Sequence, residues 1–185
     1  MTLFEYLAIA FSLVFSFTVL RLVGGLPHAT RPGRIYWVHL TFLSAGLLNI
    51  VGWFWAFWSY RDVTWTYPKF LLALGSPSAL YFLAALLVPN DPASVSSWRD
   101  YYFSMRRRLF IGLACWGVVS ALTPTIVLGM PVLHPARSGQ VVTVVLAIVG
   151  LSSENPRVHA GLAVFTLLAV VAFGITVLVQ PGGLS

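Results

Sequence analysis

Residues 3–33 read LFEYLAIAFSLVFSFTVLRLVGGLPHATRPG, and residues 109–139 read LFIGLACWGVVSALTPTIVLGMPVLHPARSG. Laid against each other without a gap, the stretches share Leu3/Leu109, Phe4/Phe110, Leu7/Leu113, Ala8/Ala114, Leu22/Leu128, His28/His134, Arg31/Arg137 and Gly33/Gly139, 8 identities in 31 positions. Leucine and alanine matches between two apolar segments carry little weight. The polar matches carry more, because His-x-x-Arg-x-Gly recurs at the same place in each copy. Each copy opens a run of three apolar segments, so the pattern predicts a doubled three-helix unit, an organisation characteristic of membrane solute pathways.

Composition points the same way. With 58% apolar residues, 15% aromatic, 9% charged and a mean hydropathy of +0.86, the chain falls outside the range of soluble domains. A crossing helix needs about 20 apolar residues, and such windows fall near 3–25, 35–58, 69–88, 107–130, 139–153 and 158–179. The expected fold is all-α and polytopic, six transmembrane helices arranged as two inverted three-helix repeats. The boundaries are 1–89 for the first repeat, 90–105 for a linker and 106–185 for the second. The fifth window is short, which makes a five-span arrangement the rival. The first is a poor cleavable signal, since it lacks a basic leader and carries Glu5.

Lysine and arginine set the orientation. With the N-terminus outside, the inner side collects Arg21, Arg31, Arg34, Arg99, Arg106, Arg107, Arg108 and Arg157, against Arg61, Lys69 and Arg137 outside. Both termini are therefore expected on the periplasmic or exterior face. Three spans per copy is an odd number, so the second copy would enter the membrane inverted. A net charge of +6 is carried by residues flanking spans, which favours anionic lipid headgroups over nucleic acid as the partner. In the linker, Trp98, Tyr101, Tyr102 and Met105 fall at helical spacing beside Arg106, Arg107 and Arg108. This stripe predicts a helix lying flat on the inner leaflet, facing lipid or a partner protein. Aromatic residues from Trp53 to Tyr67 form the outer belt, or else a mouth that stacks flat solutes.

Polar groups inside spans are costly, so they are the first places to look for a site. Glu5 and Arg21 sit near opposite ends of the first helix, either reaching the interface or serving as an outer proton acceptor and an inner gate. His39 and His159 share the inner depth with Arg21. They suit helix capping, a proton or gating role, or ligation of b-type haem if the rings face each other. Asn49 and the helix breaks at Gly75, Pro77 and Pro124 lie near the midplane, where discontinuities coordinate solutes, hinge or simply bend. Small residues at Ala8, Ser12 and Ser16, and at Gly117, Ala121 and Thr125, predict close crossing of the first and fourth helices.

Absences narrow the field. The lone Cys115 permits no intramolecular disulfide and no cysteine metal cluster. The missing midplane carboxylate weakens a cation-coupled pump, and there is no arginine ladder for a voltage sensor and no mid-helix lysine for a retinal Schiff base. Without a phosphate-binding glycine loop, a metalloprotease His-Glu motif or a nucleophile elbow, enzymatic hydrolysis is unsupported.

The opening Phe4-Glu5-Tyr6-Leu7, the basic turn, Trp37-x-His39 and the Trp-rich end of the second helix resemble a family of small bacterial six-helix membrane proteins without an established function. The resemblance covers roughly the first 60 residues and implies a bacterial inner-membrane origin, with no activity or site residues. The functional expectation is a channel or transporter for a proton, an inorganic anion or a small neutral molecule. A 20.3 kDa bundle leaves little room for a private pathway, so a homo-oligomer, most simply a dimer, is expected. The alternatives are a haem-binding redox protein and a non-transporting scaffold, sensor or effector.

Overall fold

The computed structural model describes residues 2–132, 134, 137–177 and 179. Among them are six α-helices and no strand: α1 (Leu3–Ala29), α2 (Trp37–Ala56), α3 (Tyr67–Leu87), α4 (Trp98–Leu128), α5 (Ser138–Ser152) and α6 (Pro156–Thr176). Short 3₁₀ turns follow α2 at Phe57–Tyr60 and precede α4 at Pro92–Ser94. All but α5 are long and apolar enough to cross a membrane. This is a multi-pass helical membrane protein. The 15 residues of α5 rise about 22 Å, short of the roughly 30 Å hydrocarbon core.

Local chemistry sets the helix ends. α1 opens in a capping box: the Thr2 hydroxyl accepts from the Glu5 N–H at 3.2 Å, and the Glu5 carboxylate accepts from the Thr2 N–H at 2.9 Å. The Ser97 hydroxyl caps α4, and α4 stops at Gly129, whose φ of +70° is the left-handed form that glycine adopts without strain. Pro68 and Pro156 occupy first-turn positions of α3 and α6, where the missing N–H has no helical partner to lose.

In the first half α1, α2 and α3 pack mutually, whereas in the second half α4 packs on α5, and α5 on α6. α4 joins the halves through α3, and α6 through α2. The buried stripe of α1 is Leu7, Phe11, Phe15, Thr18, Leu22, Gly25 and Ala29, seven residues on one helical face. Phe4, Ala56, Met130 and Val177 lie at the end of the bundle where α1 begins and α6 ends, and Arg21, Arg34, Arg99, Arg106 and Arg157 lie toward the other. We call these the termini end and the basic end.

Three expectations need correction. Residues 98–105 are not a separate surface helix: they are the first turns of the 31-residue α4, which at about 46 Å overshoots the hydrocarbon core. Helices α1 and α4 do not pack along their lengths and are joined at the basic end, where Trp98 reaches His28. Gly117, Ala121 and Thr125 seat α5 instead. A Cβ on Gly117 would stand 2.9 Å from Val144, and the Ala121 carbonyl and Thr125 hydroxyl accept from Arg137. On α1, Ala8 and Ser12 are half-buried and Ser16 is exposed, because that helix buries its bulkier stripe. Lastly, the recurrent His-x-x-Arg-x-Gly takes two forms. Gly33 sits in a turn at φ +79° beside an exposed Arg31, while Gly139 lies in the first turn of α5 beside a buried Arg137.

Candidate functional site

The basic end is held shut by side chains that reach across helices. Trp98, the largest fully buried residue, donates its indole N–H to the His28 carbonyl at 3.0 Å, joining α4 to the end of α1. Its ring stacks on His39 with centroids 4.7 Å apart. Tyr102 stands between the histidines, edge-on to both, at 6.3 Å from His39 and 5.5 Å from His159. Its hydroxyl is 2.9 Å from His159 Nδ1, and His159 Nε2 is 2.9 Å from the Ser153 carbonyl. A carbonyl only accepts, so Nε2 carries the proton, and in the neutral ring Tyr102 donates to Nδ1. Both imidazoles are 0% exposed. His39 forms no hydrogen bond of good geometry and has the Leu87 carbonyl as its neighbouring backbone acceptor.

These contacts sort the expected residues. His39 and His159 each pack edge-on against Tyr102, and both nitrogens of His159 are engaged. A haem plane does not fit there. Arg21 donates from Nε to the Val88 carbonyl at 2.9 Å and from Nη2 to Asn90 at 2.7 Å, closing the end of α3 one residue beyond the Leu87 carbonyl that neighbours His39. Glu5 is exposed at the termini end, in its capping box. Trp98, Tyr102 and Arg106 were expected to face lipid or a partner and are instead buried, because the stripe turns into the bundle. Arg106 is 4% exposed; it donates to the Gly150 carbonyl at 3.4 Å, to the Ser153 carbonyl, and to Glu154 at 2.7 Å. That places a cation on the C-terminal carbonyls of α5, where the helix dipole favours it. Arg107 and Arg108 are exposed, and Tyr101 is half-buried with its hydroxyl on the Leu86 carbonyl at 2.7 Å. Tyr36, just before α2, packs on Tyr102, and burial raises its phenol while Arg99 lowers it.

The helix breaks divide. On α3, the Ser76 hydroxyl pairs with that of Ser120 at 2.9 Å and Gly75 lies against Val119, so this break ties α3 to α4. Pro77 is buried and α3 continues past it. Pro124 behaves differently. It borders a cavity of about 770 Å³ between α2 and α4–α6, with part of its wall from α1 and α3. The cavity runs from Phe42, Leu87 and Leu109 near the basic end to Trp55, Met130 and Val177 at the termini end. Its lining is mainly apolar, interrupted by Asn49, Arg137, Gln140, Thr143 and Thr166. Phe42 ends it on the basic side, stacked on Tyr102 at 5.8 Å and edge-on to Phe110 at 5.9 Å.

Arg137 is a residue whose role sequence reasoning missed, counted as an outer charge and as part of the recurrent turn motif. It is 7% exposed. Nη1 donates to the Thr125 hydroxyl and to the Pro131 carbonyl at 3.2 Å, and Nη2 to the Ala121 carbonyl. It thus sits at the proline break of α4, one to two turns below that helix's termini-end tip. No carboxylate among the described residues pairs with it. The available signal was an arginine directly preceding an apolar helix too short to span. Comparison with protein-family models, with curated proteins and with solved structures found no match.

Proposed function

We propose that this protein binds a small solute in the cavity between α2 and α4–α6 and carries it across the membrane, a transport function rather than a catalytic one. The observation that carries the reading is the cavity itself: about 770 Å³, within the range of small-molecule sites, mostly apolar and bordered by a few polar groups. Small neutral or amphipathic molecules suit such a lining better than hydrated metal cations. Asn49 is the polar contact near mid-depth. The layer of Phe42, Tyr102, Phe110, His39 and His159 is the closed gate at the basic end, and Pro124 is the hinge-capable break at the cavity wall.

The reading takes α5 as a sixth crossing. α5 lies along α4 from Thr125, reached by Arg137, to Arg106, which reaches Ser153. That stretch of α4 rises about 28 Å, close to the bilayer core, so the two arginines complete what 15 residues cannot span alone. Both termini then share the less basic face, the periplasmic side of a bacterial inner membrane, with anionic headgroups met by Arg107 and Arg108. The reading does not require the inverted repeat or a dimer.

Proteoliposomes test it. Glycerol, urea, chloride and proton fluxes are followed in empty vesicles, in vesicles with the protein, and with Ala169→Trp, which fills the cavity from α6. Flux of at least one solute above the empty-vesicle rate, lost in folded Ala169→Trp, is expected. Flux that Ala169→Trp leaves unchanged would place the route elsewhere.

A further inference from the structure

The cavity borders a buried cation, Arg137, that has no counter-anion among the described residues, and that combination indicates what kind of molecule belongs there. A guanidinium below the bilayer surface without a carboxylate is expensive, and such charges ordinarily find a partner. The contacts of Arg137 occupy Nη1 twice and Nη2 once. Nε–H and the second hydrogen of Nη2 have no partner among the described residues. Those two donors form the side-on edge that meets a carboxylate bidentately. One turn along α5, Gln140 Oε1 is buried without a hydrogen-bond partner, and it lines the same cavity. An acceptor in that state calls for a donor from the occupant. Away from these two residues the walls are mainly leucine, valine, alanine, glycine and aromatic residues, with Asn49 and a few threonines and a serine among them.

We infer that the occupant is a single-chain amphipathic acid: a carboxylate head on the free edge of Arg137, a hydroxyl or N–H near it for Gln140 where the molecule carries one, and an alkyl body running toward Phe42. This rests on the cavity being the solute site and names the solute class. It also gives the short α5 a purpose, since a full-length helix would carry its first residue up to the headgroups, away from an intramembrane head. Arg137 then has two roles, tying α5 to the carbonyls at the Pro124 break and receiving the ligand.

The test uses the full chain in a neutral maltoside detergent, with dansylaminoundecanoate fluorescence as the binding signal and palmitate, hexadecanol and phosphatidylglycerol as competitors. Palmitate is expected to displace the probe at least about tenfold more effectively than hexadecanol, the margin that one charge-assisted contact supplies. Arg137→Gln, with folding checked by thermal unfolding, is expected to erase that preference. Ala169→Trp, which leaves the Arg137 contacts intact, is expected to abolish binding of all competitors. Equal displacement by palmitate and hexadecanol, with binding still lost in Ala169→Trp, overturns the acid while the cavity reading stands. Phosphatidylglycerol matching palmitate overturns the single-chain occupant in favour of a bilayer lipid. Probe binding that Ala169→Trp leaves unchanged overturns both.

Discussion

Arg106, Arg107 and Arg108 are adjacent in the chain and differ in everything else. A helix turns about 100° per residue, so one arginine points into the bundle and its neighbours point out. Arg106→Ala removes donors from the Ser153 and Gly150 carbonyls, each loss costing about 1–3 kcal/mol, and is expected to lower the thermal unfolding midpoint in detergent. Arg107→Ala is expected to stay within about 0.5 kcal/mol of wild type. At Tyr102 the change to Phe keeps the stacking on Phe42 but leaves His159 Nδ1 as a buried acceptor, with an expected loss of about 1–3 kcal/mol in the same assay. Charge in an apolar stretch was the signal that picked out Glu5, yet Thr2-x-x-Glu5 is a capping box in plain order, and the local rule outranks the functional guess. Which of three arginines is buried, by contrast, depends on helix rotation, and an apolar helix with weak amphipathicity does not encode it visibly.

At the scale of elements, each of the six apolar windows overlaps one helix, with α4 starting well ahead of its window, because hydropathy over some 20 residues is a strong signal. What hydropathy does not carry is the partner of each face. The stripe Trp98, Tyr102, Met105 was readable as one face of a helix, and its choice of the bundle over the leaflet is set by His28, His39 and His159 from three other helices. Helix α5 shows the same limit from the other side: its pairing with α4 depends on glycine. A Cβ on Gly150 would stand 2.4 Å from the Phe110 ring, and Ala147 one turn earlier is 0% exposed, so the backbones approach closely. Gly150→Ala is expected to push α5 from α4 and cost about 1–3 kcal/mol, read from the unfolding midpoint; Gly161→Ala, which meets nothing within 4 Å, is the control and is expected to be neutral or slightly stabilising.

For the whole molecule the main feature is a difference between its ends. Across the basic end, Arg21, Arg34, Trp98, Tyr101, Tyr102 and Arg106 each bridge distant parts of the chain by hydrogen bonds. Toward the termini end a partly open cavity lies between α2 and α4–α6 instead, and Arg137 is the cross-link that joins α5 to α4 there. On the proposed transport reading, a molecule enters from the cavity side of the bundle, opposite the pinned end. Asn49 makes this directly measurable, since it lines the cavity near mid-depth, and Cys115 is the sole cysteine to remove. In a Cys115→Ser background, Asn49→Cys is treated in oriented vesicles with a membrane-impermeant methanethiosulfonate reagent applied to one face at a time. Labelling from the termini face, blocked when Ala169→Trp fills the cavity, is the expected result; labelling from the basic face alone, or from neither, contradicts it.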